Sequence, residues 1–140
     1  EVLGTSKTFF AFGTNHSGGV IILFSDKPQI DVKNVLEDNK GCCIFLEVLI
    51  QDAPFPLVNL YAPTKSSEQC AFFDQVANIL KNFNVDPGCH IGCDFNSHLH
   101  SNLDNLAGRI ESIASVVKTK GMMVASDLID IWTICNPDKK

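Results

Sequence analysis

Over the first sixty residues, hydrophobic positions fall into short runs separated by turn chemistry, not into long helical stripes. Residues 7–12 are apolar and aromatic, residues 13–19 are rich in Gly, Asn and Ser, and residues 20–24 return as an apolar, β-branched run. This pattern predicts a hairpin with a buried second strand. Ile30, Val32 and Leu36 alternate weakly, which predicts a more exposed strand. Asp38-Asn39-Lys40-Gly41 is turn chemistry, because Asn and Gly tolerate positive φ. Residues 42–50 predict a buried strand with Glu47 as its lone charge, broken by Pro54 and Pro56. Residues 57–61 predict the next strand, stopped by Pro63.

The spacing then changes. Ser66 with Gln69 three residues on forms a capping-box pattern. Phe72, Val76, Ile79, Leu80 and Phe83 follow at helical intervals, and residues 84–88 end the helix. Residues 89–93 predict a short strand with Asp94-Phe95-Asn96 at its carboxyl end. Ile110, Ile113, Ala114 and Val117 predict a second helix, with Gly121 near its end or at a kink. Residues 128–134 form a last apolar segment closed by Pro137. Hairpins first and a strand–helix alternation afterwards predict a mixed α/β fold. No Gly-rich loop opens a helix as in a nucleotide-binding βαβ unit.

With 140 residues, the chain reads as a single domain over 1–140, long enough for its own core. Hydrophobic residues make up 45% and charged residues 19%, which excludes a disordered chain. The apolar runs fall far short of the roughly 18–20 residues of a membrane helix, so no membrane partner is expected. The net charge is −5, and Arg109 is the sole arginine. That balance argues against a dedicated basic nucleic-acid binder, but not against an enzyme acting on a phosphodiester. Six cysteines, two of them adjacent at Cys42 and Cys43, read as reduced, buried thiols of an intracellular protein.

Three constellations carry possible chemistry. Asp94 and Asn96, just past a buried strand, point the same way if the chain stays extended. An acid that takes a proton from water, beside an amide that donates to a phosphate oxygen, suits phosphodiester hydrolysis; the plain alternative is a polar turn. Tyr61, the only tyrosine, closes a strand before Pro63 and places a hydroxyl at the strand ends; the alternative is a tyrosine at the core's edge. Cys89, His90 and Cys93, with His98 and His100 nearby, offer a zinc reading, although strand alternation sets His90 on the opposite face from both cysteines. Phe9, Phe10, Phe72 and Phe73 fit core positions better than a base-stacking platform. Lys118, Lys120, Lys139 and Lys140 read as solvated surface.

Three blocks occur in order: Gly19-Val20-Ile21-Ile22-Leu23-Phe24, Asn59-Leu60-Tyr61-Ala62-Pro63 and Gly92-Cys93-Asp94-Phe95-Asn96. Leu103-Asp104, the run from Asp127 to Trp132, and Asn136-Pro137 follow. The ordered set resembles the endonuclease/exonuclease/phosphatase (DNase I-like) superfamily, and is most like the endonuclease domain of non-LTR (long interspersed) retrotransposon polyproteins. The resemblance implies a four-layer α/β sandwich, here incomplete, and hydrolysis of phosphodiesters with a divalent cation, usually magnesium. It implies a DNA substrate, nicked on one strand to expose a primer, and hence action on nuclear DNA. Position by position, Asp94 matches the aspartate that orients or deprotonates the attacking water, Asn96 the asparagine on the scissile phosphate, and Tyr61 the tyrosine that contacts that phosphate. Asp130 and Trp132 match structural positions.

The pattern departs from the family in three places. The metal-binding Glu that precedes the first block and the closing Ser-Asp-His block are not among these residues, so the chain is expected to be part of a larger polyprotein, truncated at both ends. Cys93 stands where the family carries a second Gly. A catalytically dead remnant of the same domain is therefore the main alternative to an active nuclease. A lipid or inositol phosphate phosphodiesterase and a Cys/His metal-binding module are the remaining readings.

Overall fold

The structure, a computed structural model, describes residues 5–14, 17–26, 29–83, 88–97, 99 and 113–137. They form two compact units, one from the described residues within 1–62 and 84–94, the other from those within 63–83 and 95–140. Mixed sheets and helices make this an α/β fold, as the sequence pattern predicts. Among the described residues no helix is long and apolar enough to cross a membrane.

The first unit holds two sheets. β1 (Thr5–Thr14) and β2 (Ser17–Ser25) form an antiparallel hairpin. The second sheet runs in the order β3 (Ile30–Glu37), β4 (Cys43–Ile50), β6 (Leu57–Tyr61), β7 (His90–Asp94), with β5 (Ala53–Pro54) paired to β4. Neighbours are antiparallel except β6 and β7, which are parallel. Ala11, Val20 and Phe24 of the hairpin pack against Ile30, Ile44, Leu46 and Val48 of the larger sheet. Phe9 and Phe24 meet edge to face at 5.9 Å in this layer. Each buried aliphatic or aromatic side chain here contributes about 1.5–3 kcal/mol relative to exposure.

Several sequence expectations change in detail. The run at 20–24 is not buried throughout: Val20 and Phe24 face the core, while Ile21 and Leu23 lie exposed on the other side with Phe10 and Phe12. Period-two alternation in an outer hairpin sends every second residue outward. Of the four phenylalanines weighed as stacking aromatics, Phe72 and Phe73 are buried and Phe9 is half-buried against the core, whereas Phe10 is exposed. The predicted turn at 13–19 is shorter, because both strands continue to the pair Thr14 and Ser17. The buried strand at 42–50 is not ended by its prolines. The chain reverses at Gln51 and Asp52, with φ of 52° and 64°, and Pro54 then pairs on an edge strand. Two consecutive left-handed residues are what a tight antiparallel hairpin demands, and an edge strand tolerates the missing N–H of proline.

The turn at 38–41 forms as predicted and locks the two sheets together. The Asp38 carboxylate accepts hydrogen bonds from the backbone N–H of Cys42 at 2.7 Å and of Cys43 at 3.1 Å. Gly41 is buried at φ 71°, and its carbonyl accepts from the Gly19 N–H at 3.0 Å. A Cβ on Gly41 would overlap the backbone of Phe12 and Gly13.

The second unit is helical: α1 (Ser66–Asn82), α2 (Ile113–Ala125) and α3 (Ile131–Cys135). Phe72, Val76 and Leu80 are buried on α1 as predicted, and Phe83 caps its end, also buried. The expected capping box is absent. Lys65 is the N-cap without a side-chain bond, Ser66 already lies inside the helix, and Gln69 turns inward to 2% exposure. On α2 the expected apolar face is the exposed one, with Ile113 at 82% and Val117 at 61%. Ser115, Thr119 and Met122 are buried in its place, because the two hydroxyls find partners in Gln69 and the Ser115 carbonyl. Ile110 lies outside the described residues. Gly121 lies near the end of α2, as expected; the helix runs on to Ala125 and is followed by Asp127 with φ 52°. The apolar segment at 128–134 is not core: Ile129, Ile131, Trp132 and Ile134 are exposed, as is Cys135. The Asp130 carboxylate caps α3, accepting from the Thr133 N–H at 3.1 Å and its hydroxyl at 2.7 Å.

Gly41→Ala is expected to lower unfolding stability by about 2–4 kcal/mol, adding an overpacked Cβ to a left-handed backbone. Urea denaturation of the two chains measures this, and an unchanged midpoint contradicts the close approach.

Candidate active site

The parallel register of β6 and β7 pairs Leu57 with His90, Asn59 with Gly92, and Tyr61 with Asp94. Side chains paired across a parallel ladder share a face. Tyr61 and Asp94 thus stand side by side at the carboxyl ends of neighbouring strands, where ligands bind in open α/β sheets. The Asn59 amide, two residues before Tyr61, donates to the Ile21 carbonyl at 2.9 Å and ties β6 to the hairpin. Tyr61 is half-buried and packs against the layer between the sheets; Asp94 is exposed. The Ala62 N–H donates to the Asp94 carbonyl at 2.9 Å, so the pairing extends one residue beyond the strand. The structure brings Tyr61 and Asp94 together as neighbours on one sheet edge.

Asn96 belongs to the helical unit, and its geometry differs from the extended expectation. Its φ is 46°, so the chain turns into the left-handed region two residues after Asp94. An extended chain would alternate faces with period two; this one does not, and the shared direction of Asp94 and Asn96 argued from alternation is lost. Asn is among the residues that tolerate this conformation. The Asn96 carbonyl accepts a hydrogen bond from the Gln69 amide at 2.8 Å, and the same amide nitrogen donates to the Pro63 carbonyl at 2.8 Å. Ser115 donates its hydroxyl to the Gln69 side-chain oxygen, and Thr119 donates to the Ser115 carbonyl at 3.0 Å. Phe73 and Phe95 pack beside this network with ring centres 6.2 Å apart. Sequence reasoning missed Gln69, which it placed in a capping box. Its spacing, three and four residues before Phe72 and Phe73 on the buried face of the helix, was the available signal.

The cysteines split by environment. Burial pushes the Cys43 thiol up to about 12, with the Asp38 charge adding to the effect. Burial alone raises Cys89 to about 11. Cys93 is raised further, first by burial and then by the adjacent Asp94. Burial thus favours the neutral thiol at all three. His90 stacks on Phe55 at 3.9 Å on the exposed side of β7, away from Cys93. His98 and His100 of the zinc reading lie outside the described residues, as does His16. Among the described residues no group of three His, Cys, Asp or Glu side chains is placed to hold a metal ion. For magnesium, a hard ion bound by carboxylates and substrate phosphates, the pair at the strand ends supplies the oxygens of Asp94 alone. Lys118, expected to be solvated, is at the surface but pairs with Asp74 at 2.7 Å between α1 and α2.

No protein-family model matches the chain. It is 30% identical over 132 residues, 94% of its length, to the Transposon TX1 uncharacterized 149 kDa protein of Xenopus laevis. It spans about 10% of that protein. Among solved structures it is similar to a truncated Caenorhabditis elegans TDP2, with a TM-score of 0.47 and 18% identity, covering 75% of this chain and 44% of the other.

Two outcomes follow from the thiols. Cys135, exposed, is expected to react first with a disulfide reagent near pH 8, and the buried Cys43 only on unfolding; early modification of Cys43 would contradict its burial. The folded state binds the protons of Cys43, Cys89 and Cys93 more tightly than the unfolded chain, so their contribution to stability is full below about pH 9 and is lost as pH rises toward 11–12. Denaturation midpoints measured from about pH 8 to 10 should fall at the upper end, and Cys43→Ala should flatten that fall.

Proposed function

We propose that this chain, similar over 94% of its length to a transposon protein, is part of a DNA-nicking endonuclease of the endonuclease/exonuclease/phosphatase superfamily that hydrolyses phosphodiesters. The single observation that carries the reading is the parallel register that sets Tyr61 beside Asp94 at the ends of β6 and β7, in a chain with the family's ordered blocks. The proposal treats residues 1–140 as part of one catalytic domain, with the remainder of a longer polyprotein as its covalent partner and nuclear DNA as its target.

In this reading Asp94 orients the attacking water and takes its proton. An exposed carboxylate suits that role, because water reaches it without an entry path. The Asn96 amide donates to a non-bridging phosphate oxygen, where charge develops as the bond to the incoming oxygen forms and the P–O bond to the leaving sugar oxygen breaks, that oxygen taking its proton from solvent. The Tyr61 hydroxyl donates to the same phosphate, with its ring held against the core so that the donor costs little to position. Magnesium, by resemblance, would neutralise the phosphate when bound. Asp94 is the oxygen donor these residues would supply to it.

A supercoiled-plasmid nicking assay tests the reading. With magnesium, open-circle product is expected; chelation with EDTA or Asp94→Ala should abolish it. Asn96→Ala and Tyr61→Phe should each lower the rate by roughly 100–1,000-fold, the range for loss of one charge-stabilising donor. A cooperatively folded sample that does not nick would instead mark a catalytically dead remnant of the domain.

A further inference from the structure

We propose that Gln69 is a positioning residue of this site, a role that rests on the endonuclease reading: one buried amide fixes the left-handed backbone from which Asn96 acts. Gln69 is 2% exposed in the first turn of α1. A glutamine amide offers two N–H donors and one carbonyl. Here both kinds of group are used. The nitrogen donates to the carbonyls of Pro63 and Asn96, each at 2.8 Å, and the oxygen accepts from Ser115. The two carbonyls belong to the segments that follow β6 and β7, two residues on from Tyr61 and from Asp94. A buried amide that loses its acceptors is costly, so the buried Gln69 side chain holds the two segments to one helix.

The chemistry of the residue is specific. Glutamate at this position presents only acceptors to two carbonyls at neutral pH, and restores a single O–H donor once protonated. Leucine has the volume and no donor. Asparagine is one methylene short of both carbonyls. Asn96, at φ 46°, holds a conformation that non-glycine residues rarely adopt, and its carbonyl is the group Gln69 grips. Without that grip the residue relaxes toward negative φ, and its side chain leaves the backbone in another direction.

The test compares the full chain with Gln69→Glu, Gln69→Leu and Ser115→Ala. Amide hydrogen exchange and plasmid nicking are measured at about pH 8 and about pH 5.5, a range that spans the raised protonation of a buried glutamate. In Gln69→Glu at the higher pH, exchange at residues 95–97 is expected to rise about tenfold or more while the core of α1 stays protected. The nicking kcat should fall about a hundredfold, as for a misplaced catalytic group, with KM little changed. At the lower pH the protonated glutamate should recover part of the protection, whereas Gln69→Leu should not. Ser115→Ala, which removes only the hydroxyl on the amide oxygen, should fall between wild type and Gln69→Leu and covers the case in which a Gln69 variant does not fold. Unchanged exchange at 95–97, or a rise equal to that of the α1 core, overturns the anchor, as does a KM effect without a kcat effect. A wild-type chain that does not nick overturns the endonuclease reading, and the exchange arm then decides the anchor by itself.

Discussion

The parallel pairing of β6 and β7 is the constraint on which the rest of this structure turns. Parallel neighbours cannot be joined by a tight turn and need a crossover of a dozen or more residues. The chain supplies one between Tyr61 and His90, and α1 lies within it. The pairing has two consequences. It aligns the carboxyl ends of both strands, so that the segments carrying Tyr61 and Asp94 leave from one edge of the sheet. It also makes β6 a strand shared between antiparallel β4 and parallel β7, and Val58 and Leu60 are buried accordingly at 3% and 1%.

Around that pairing, small groups hold backbone to backbone. Asp38 satisfies two N–H groups at the start of β4, Gly41 meets β1 where no side chain fits, and Asn59 reaches from β6 to the hairpin. Each contact is modest by itself, about 0.5–1.5 kcal/mol for a hydrogen bond. Together they set the separation and register of the sheets, which apolar packing alone leaves loose. In the helical unit a polar device does the same work. Gln69, Ser115 and Thr119 replace what would be an aliphatic seam between α1 and α2. A satisfied polar network is directional, whereas an apolar seam tolerates sliding.

This division explains where sequence reasoning held and where it did not. Strands β4, β6 and β7 were legible because their apolar runs are bounded by turn residues at both ends. The 38–41 turn was legible because Asn and Gly tolerate positive φ, which Gly41 adopts at 71°. Gln69 misled because the same spacing serves a solvent-facing cap and a buried anchor, and only the carbonyls around it distinguish them. Ile113 and Val117 misled because hydrophobicity marks a stripe without saying what packs on it; two hydroxyls with partners took the inner face. At Asn96, two-residue spacing implied a direction that a single left-handed φ cancels.

By itself the sequence determined the α/β class, the order of the strands along the chain, the residues at their carboxyl ends and the resemblance to a superfamily, because these depend on local periodicity and on blocks of consecutive residues. Tertiary structure decided that β6 and β7 run parallel with Tyr61 opposite Asp94, which face of α2 is buried, and that Gln69 grips the segment at Asn96. Those outcomes depend on which distant groups complete each other's hydrogen bonds and fill each other's volume, and spacing along one chain does not encode its partners across the fold.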